Sequence, residues 1–273
     1  MKRKIPLLLL CLLFLGIFLY SGFRIWDILR EYRAGEETYA ALTAYVNIPE
    51  PTQPPQTKAA MELPEEEVPV QTEAPADEIL WPTVDFADLQ AINPDVVAWI
   101  YMEGTQINYP VVRGEDNDQY LYRMIDGSYN GAGSIFMDYR NASDFTDRHT
   151  ILYGHHMNNN TMFGFVADYV AQDLSKEYPY CQILTPEGNY KLEFFAGYVD
   201  DPSADAWQLQ FGSDEEYGRW LEWSAERSAF TNPLMPTPED RVVTLSTCSY
   251  EFSDARCVLL GVLRPASAES LAE

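Results

Sequence analysis

Short strand-like runs, each bounded by turn residues, recur from residue 99 onward and restrict what the chain can fold into. They are rich in β-branched and aromatic residues and are separated by Gly, Pro, Asn and Asp. The first lies at Trp99 and Ile100, and the others at 106–112, 134–138, 150–153, 180–184, 190–198, 241–247 and 257–263. Eight strands with few long helices predict a mainly β domain, either a closed barrel or a sandwich.

Three segments between or before these strands predict helices. Residues 85–100, "DFADLQAINPDVVAWI", contain one or two short helices that break at Pro94, and "TMFGFVADYV" predicts another. The segment "SDEEYGRWLEWSAERSAF" opens with Ser213 as the N-cap and Glu216 three residues later, which is a capping box. We interpret its apolar side chains, Trp220, Trp223 and Phe230, as packing residues rather than a ligand site.

The N-terminus carries an apolar run over residues 5–23, after a basic cluster at residues 2–4. Nineteen helical residues span about 28 Å, close to the hydrocarbon thickness of a bilayer. Residues 1–25 therefore predict a cytoplasmic basic tip and a transmembrane signal anchor, with the rest of the chain outside. Three arginines between residues 24 and 33 weaken this orientation. A cleaved signal peptide is the alternative, but no A-x-A-like cleavage site follows the run.

Composition divides the remainder of the chain. Residues 26–80 predict a helical extension followed by a stalk. The stalk is predicted because residues 49–78 hold seven prolines, eight acidic residues and a single lysine. Residues 81–266 form the predicted folded domain, and residues 267–273 a loose tail. The formal net charge of −24 argues against nucleic acid as a partner, since phosphate binding needs a basic surface.

The four cysteines do not form the pattern of a disulfide scaffold. Cys11 lies in the apolar run, and the remaining three, Cys181, Cys248 and Cys257, cannot all pair with one another. At least one free thiol is therefore expected in the exported part.

Cys248 and the histidines supply the candidate chemistry. Cys248 ends the strand "TLSTC", while His155 and His156 follow the strand "TILY". Only about 3% of an ordinary cysteine is thiolate at pH 7, but a neighbouring imidazole can take its proton. Arg256 opens the next strand and can stabilise an oxyanion, because a guanidinium stays protonated. These residues form a plausible acyl-transfer set.

Two other interpretations of these residues stay open. Cys248 alone is more typical of a small buried core residue. A metal site of His155, His156 and Cys248 lacks the usual CxxC or HxxxH spacing.

Several motifs resemble the class B sortases, over residues 86–264 and in the same order. They are "TLSTC" followed by Arg256, "ILYGHHMNNNTMF", "INPDVVAWI", "INYPVV", "GSIFMDYRN" and "YLYRMIDG". The resemblance implies an eight-stranded, sortase-type closed β-barrel with N-terminal helices. It also implies one helix, near residues 214–228, between the sixth and seventh strands.

The resemblance also implies roles for individual residues. His155, Cys248 and Arg256 correspond to the catalytic residues of the family, and His156 to a structural neighbour. Seven residues separate Cys248 from Arg256, a short form of this loop. The resemblance further suggests substrate contacts, although packing is an equal alternative for Tyr153 and Trp207. These candidate contacts are Asn117, Tyr153, Ser246 and Trp207.

The function implied is that of a single-pass membrane protein with its N-terminus in the cytoplasm and its catalytic domain on the outer face of a Gram-positive-type cell. It would be a cysteine transpeptidase that cleaves the C-terminal sorting signal of secreted proteins through a thioacyl-enzyme. An amine of the peptidoglycan would then accept the protein. No metal and no cofactor are expected. Alternatives are a pilus-assembling sortase that joins pilins through a lysine amine, and a non-catalytic surface binding module.

Overall fold

The computed structural model describes residues 4–49, 79–201, 205–248 and 255–266 of the 273-residue chain. The predicted tail, most of the predicted stalk, and residues 249–254 between Cys248 and Arg256 lie outside these ranges. The helices are α1 (Lys4–Leu42), α2 (Phe86–Ile92), α3 (Gly164–Gln172) and α4 (Asp214–Glu226). The strands are β1 (Val46–Asn47), β2 (Thr83–Val84), β3 (Val96–Tyr101), β4 (Asn108–Val112), β5 (Ile135–Met137), β6 (His149–Tyr153), β7 (Tyr180–Thr185), β8 (Gly188–Asp200), β9 (Val242–Cys248) and β10 (Arg256–Pro265).

Strands β3 to β10 form a closed barrel in the order β10-β8-β7-β3-β4-β5-β6-β9. They correspond to the eight predicted strands, so the prediction of a barrel is confirmed and a sandwich is excluded. Most neighbours pair antiparallel, whereas β4 with β5 and β6 with β9 pair parallel. Closure leaves no free edge among these strands, so every strand has a partner on both sides.

The central strands are buried along almost their whole length, which explains their apolar and β-branched composition. In β9, "VVTLSTC", the first six residues are buried and only Cys248 at the end is partly exposed. In β6, "HTILY", only the terminal Tyr153 is partly exposed. Side chains become accessible where these strands end, and the candidate site lies at those ends.

The helices follow the predictions with one difference in detail. A single helix, α2, precedes β3 and ends before Asn93 and Pro94. Ser213 caps α4 by accepting a hydrogen bond from the Glu216 amide at 3.2 Å. The Glu216 carboxylate, however, accepts from the Gly212 amide at 2.7 Å rather than from Ser213, so the reciprocal bond lies one residue earlier than in a standard capping box.

Helix α4 lies between β8 and β9, the sixth and seventh strands of the barrel, so its predicted position is confirmed. Trp220 is buried and Trp223 packs against the same cluster of buried residues, so both are packing residues as predicted. Phe230 is also buried, but it lies beyond the end of α4 and belongs to the main core rather than to the face of this helix.

Helix α1 joins the predicted anchor and the predicted extension in one continuous element. Its first part is exposed and is long and apolar enough to cross a membrane. Its last part packs on the barrel, where Tyr39 and Leu42 are buried in the main core. The Tyr39 hydroxyl donates to the carbonyl of Gly133, and the Glu31 carboxylate accepts from the Gly131 amide at 2.6 Å.

After α1, the short strand β1 pairs with β2 ahead of the barrel. Parts of residues 31–47 therefore contact the barrel domain, directly or through β2. The division of the chain at residues 26–80 and 81–266 stays a prediction.

Candidate active site

The parallel pair β6 and β9 brings the predicted histidine and cysteine to one rim of the barrel. Tyr153 lies opposite Ser246, and the Gly154 amide donates to the Ser246 carbonyl at 3.1 Å. His155 follows Gly154 directly, and Cys248 follows Ser246 by two residues. Strand β10 runs antiparallel to β9 with Arg256 opposite Cys248. Three chain segments that are distant in sequence therefore end at one rim.

A cavity of about 490 Å³ opens at this rim. Every residue that the sequence analysis assigned to catalysis or substrate binding lines it, so the structure brings all seven together. They are Asn117, Tyr153, His155, Trp207, Ser246, Cys248 and Arg256.

The orientation of His155 is set by a main-chain contact. Its Nε2 lies 2.6 Å from the carbonyl oxygen of Leu121. Because a carbonyl can only accept, Nε2 carries the proton in this hydrogen bond. Nδ1 is then the nitrogen that can accept or donate a proton in the reaction. The ring also packs 5.4 Å from Tyr122, which stacks on Tyr129, so an aromatic surface continues from the histidine to the outside.

Cys248 differs from the other cysteines in its exposure. None of the four forms a disulfide; Cys181 and Cys257 are buried, and Cys248 is partly exposed. Burial raises the pKa of the Cys181 thiol, which disfavours its thiolate. Cys248 is therefore the cysteine of the barrel that a reagent or substrate can reach.

His156 holds the backbone of the candidate nucleophile. Its Nδ1 lies 3.0 Å from the carbonyl oxygen of Cys248 and donates to it. From the sequence, His156 was expected to be a structural neighbour or, in the alternative, a metal ligand, and this contact was not predicted. The two adjacent histidines thus contact different parts of the site.

Arg256 is half-buried in the wall of the cavity. Its Nη1 donates to the Ala255 carbonyl at 3.2 Å. A guanidinium has five N–H groups, so the same side chain can donate several hydrogen bonds at once.

Two buried hydroxyls add polar character to the wall beside Cys248. The Oγ of Ser246 and the Oγ1 of Thr247 have no hydrogen-bond partner within the part of the chain that the structure describes. Both residues line the cavity and are only 2% exposed. Buried polar groups are normally hydrogen-bonded; Ser246 lies on the same face of β9 as Cys248, so its hydroxyl is a candidate for contact with a bound molecule, whereas the Thr247 side chain lies on the opposite face.

Asp138 and Arg140 belong to the site and were missed as site residues. Asp138 is fully buried and accepts from Asn117 Nδ2 at 3.0 Å, the Tyr153 hydroxyl at 3.0 Å, and Arg140 Nε and Nη2 at 2.8 Å each. Burial alone would raise the pKa of this carboxyl, but the hydrogen bonds from Arg140, Asn117 and Tyr153 lower it to about 2. The segment "GSIFMDYRN" did contain a signal. It has an aspartate at the end of an apolar strand and an arginine two residues later.

The third histidine, His149, lies away from the rim and has a structural role. It is fully buried, with Nδ1 2.7 Å from the Gln208 carbonyl and Nε2 2.7 Å from the Thr244 hydroxyl. Burial lowers its pKa to about 4. It connects the segment that carries Trp207 to the strand that carries Cys248.

Among the described residues, no group of three or more His, Cys, Asp and Glu side chains is placed to hold a metal ion. The hypothesis of a metal site at His155, His156 and Cys248 therefore has no structural support within these ranges.

The chain is similar to known sortases B, although not every comparison finds a match. No protein-family model matches the chain. It is 35% identical to sortase B of Staphylococcus aureus over 169 residues. These residues cover 62% of this chain and 69% of the relative. Over 181 residues it is 33% identical to sortase B of Listeria monocytogenes, covering 66% and 74%.

Solved structures give the same result. Sortase B from Bacillus anthracis matches with a TM-score of 0.69 at 31% identity, covering 88% of this chain and all of the other. A Staphylococcus aureus sortase B–substrate complex matches with a TM-score of 0.63 at 34% identity, covering 67% and 85%. A sortase B complexed with triglycine matches equally well, with a TM-score of 0.63 at 34% identity and coverage of 67% and 86%. The shared barrel and these identities show that the chain belongs to the class B sortases, a family of cysteine transpeptidases.

Proposed function

We propose that the protein is a membrane-anchored cysteine transpeptidase that cleaves a C-terminal sorting signal from secreted proteins and transfers them to an amine of the peptidoglycan. The observation that carries this proposal is the convergence of Cys248, His155 and Arg256 at the wall of one cavity. Cys248 is the accessible thiol of the barrel. The roles of these three residues are those that the family resemblance implies.

In the first half-reaction, the Cys248 thiol gives its proton to His155 Nδ1, and the resulting thiolate attacks a peptide carbonyl of the sorting signal. The carbonyl oxygen gains negative charge, which the guanidinium of Arg256 stabilises by donating hydrogen bonds. The C–N bond then breaks and the leaving amine takes a proton from His155 Nδ1. The acyl group remains on Cys248 as a thioester.

In the second half-reaction, an amine attacks the thioester carbonyl. His155 Nδ1 accepts the proton that the amine loses, the new amide bond forms, and the sulfur of Cys248 leaves. Throughout, the Leu121 carbonyl accepts from Nε2, so Nε2 stays protonated and only Nδ1 gains and loses a proton. Nδ1 thus serves as acid in one step and as base in the next.

The solved relatives support the two substrates. One sortase B structure holds its substrate and another holds triglycine, a short peptide with a free amine. For this chain we propose Asn117, Tyr153, Ser246 and Trp207 as contacts of the sorting peptide, because all four line the cavity. The buried hydroxyl of Ser246, on the same face of β9 as Cys248, would find a partner on such a peptide.

We also propose that the exposed first part of α1 anchors the protein in the cell membrane, with the barrel outside the cell. Its apolar composition and its length support this. The basic residues at positions 2–4 favour a cytoplasmic N-terminus. Helix α1 itself joins this anchor to the barrel, because its last part packs in the main core and the strand after it, β1, pairs with β2.

The test compares the full-length protein in detergent with its Cys248→Ala variant. Each is incubated with a library of sorting-type pentapeptides and candidate amines, and mass spectrometry detects the thioacyl adduct and the transpeptidation product. We expect adduct and product with the wild type and neither with Cys248→Ala. The matched control is Cys181→Ala, which removes a buried thiol and should keep turnover. Cleavage by the Cys248→Ala variant would contradict the mechanism.

Thiol labelling separates catalysis from a passive binding role. At near-neutral pH a small alkylating agent should modify Cys248 and leave the buried Cys181 and Cys257 unmodified. If all three were equally inert, a non-catalytic binding module would be favoured instead.

A further inference from the structure

Arg140 is a second arginine at the catalytic cavity, and its position is fixed by a buried partner. Its backbone N–H, Nε and Nη2 all donate to the Asp138 carboxylate, at 3.0, 2.8 and 2.8 Å. The Asp138 side chain has no exposed surface, whereas 49% of the Arg140 side chain is exposed. One end of the pair is therefore anchored in the protein and the other end faces the outside.

The planar geometry of the guanidinium determines which donors remain. Nε and Nη2 form one edge of the group, and this edge is occupied by the two oxygens of Asp138. Nη1 carries two further N–H groups, which point away from that edge. Because Asp138 binds two nitrogens of the guanidinium at once, the Nη1 donors point in a defined direction, unlike those of a freely moving surface arginine.

Arg140 stands at a junction in the groove. Together with Trp207 it lines both the catalytic cavity of about 490 Å³ and an adjoining cavity of about 390 Å³. The second cavity is otherwise walled by Asn141, Asp147 and residues 208–210. A peptide that extends from Cys248 past Trp207 would therefore pass Arg140.

The charge balance indicates the kind of group that Arg140 would bind. Asp138 neutralises most of the positive charge of Arg140, so the pair acts on a ligand mainly as a hydrogen-bond donor. A peptide that fills the groove removes water from these donors and must supply an acceptor, or the complex is weakened. A neutral carbonyl oxygen meets this requirement.

We propose that Arg140 is a specificity-determining residue that donates from Nη1 to a neutral carbonyl oxygen of the sorting peptide, other than the carbonyl that Cys248 attacks. Asp138 is the positioning residue that holds it, together with Asn117 and Tyr153. This inference rests on the proposed function, since it concerns the peptide substrate of the same site.

The experiment measures steady-state kinetics of the full-length protein with its best library peptide. In Arg140→Met the N–H groups are lost while the aliphatic length is kept. We expect KM to rise roughly 10- to 100-fold, with kcat changed by less than about 3-fold, because the lost contact is remote from the scissile bond. The alkylation rate of Cys248 should be unchanged, showing that the catalytic residues remain in place.

A second set of substrates identifies the partner of Arg140. Each backbone carbonyl of the peptide is replaced in turn by a thioamide, and each side-chain amide by a hydrocarbon of similar shape. One of these replacements should weaken catalysis by the wild type but have no further effect in Arg140→Met. Additive effects at every position would overturn the proposal.

Two further variants separate this role from a loss of stability. Arg264→Met removes another half-exposed arginine that pairs with a nearly buried carboxylate, Asp240, near the opposite end of β10. It should leave KM unchanged. Asp138→Asn/Arg140→Met removes the buried charge together with the guanidinium, and it should reproduce the rise in KM if Arg140→Met alone does not fold.

The outcomes also distinguish this inference from the proposed function. If the wild type turns over and the folded Arg140 variants keep its KM, the role of Arg140 is overturned but the proposed function stands. Absence of any thioacyl adduct in the wild type would overturn the proposed function, and this inference with it.

Discussion

Acidification should destabilise the fold through one buried histidine. His149 is fully buried beside Trp220 and bonded to the Gln208 carbonyl and the Thr244 hydroxyl. Burial lowers its pKa from 6.5 to about 4, although the hydrogen bond to the Gln208 carbonyl and, to a smaller extent, the carboxylates of Asp138 and Asp147 oppose the shift. In the unfolded chain the same side chain titrates near 6.5. Between these two values the unfolded state binds a proton that the folded state does not.

The sign and the size of the effect follow from this difference. Because the histidine pKa is lower in the folded state, its contribution to stability is complete at pH values above the unfolded-state pKa of 6.5. This contribution is lost as the pH falls from 6.5 towards 4. The full difference corresponds to about 3 kcal/mol in the free energy of unfolding, of which about 2 kcal/mol is lost between pH 7.5 and pH 5. Against a typical total of roughly 5–15 kcal/mol, this is a large fraction.

The assay is urea unfolding of the full-length protein in detergent at pH 7.5, 6 and 5, followed by tryptophan fluorescence. The control is His149→Gln, whose amide can donate to the Gln208 carbonyl and accept from Thr244 but does not titrate. We expect this variant to have a lower free energy of unfolding than the wild type at pH 7.5. Acidification to pH 5 should lower that free energy little further. The reasoning is refuted if the wild type is equally stable at pH 7.5 and 5, or if the glutamine variant shows the same loss.

Two further predictions concern the site and a helix. In Gly154→Ala the new Cβ would lie 2.5 Å from Ile135 Cδ1 and 2.7 Å from Phe163 Cγ, so the Phe163 ring or the backbone before His155 must shift. We expect kcat/KM for transpeptidation to fall about 10-fold or more, and an unchanged value would show that this strand end tolerates displacement. Ser213→Ala removes the cap of α4 and should lower the free energy of unfolding by about 1 kcal/mol in urea, with activity retained; equal stability would mean that water replaces the cap.

The strands could be predicted from sequence because their signals are local. Each strand is a short apolar or β-branched run between turn residues, and all eight predicted runs became strands of the barrel. The closure of the barrel depends on the parallel pairs β4 with β5 and β6 with β9. Nothing local in either partner specifies such a pairing, so a barrel and a sandwich stayed open until the family resemblance was considered.

The site shows the same division. Cys248, His155 and Arg256 were found because each lies in a motif that can be recognised by itself. The contacts that orient them could not be found, because they join residues far apart in the chain: His155 to Leu121 over 34 positions, and His156 to Cys248 over 92. The buried aspartate behind the groove, Asp138, was missed for a related reason: Arg140 lies two residues away, but its other partners, Asn117 and Tyr153, reach it only in the folded protein.

The continuity of α1 links two parts of the molecule by a fixed screw relation. The exposed apolar residues up to Phe23 and the barrel-packed residues from Glu31 onward belong to one helix. Each residue inserted between them would turn one part by about 100° about the helix axis and separate the two by about 1.5 Å. Four inserted residues leave the angle about 40° from its original value and add about 6 Å, whereas two turn the catalytic groove to almost the opposite side. The number of residues in this segment therefore sets the direction in which the groove faces.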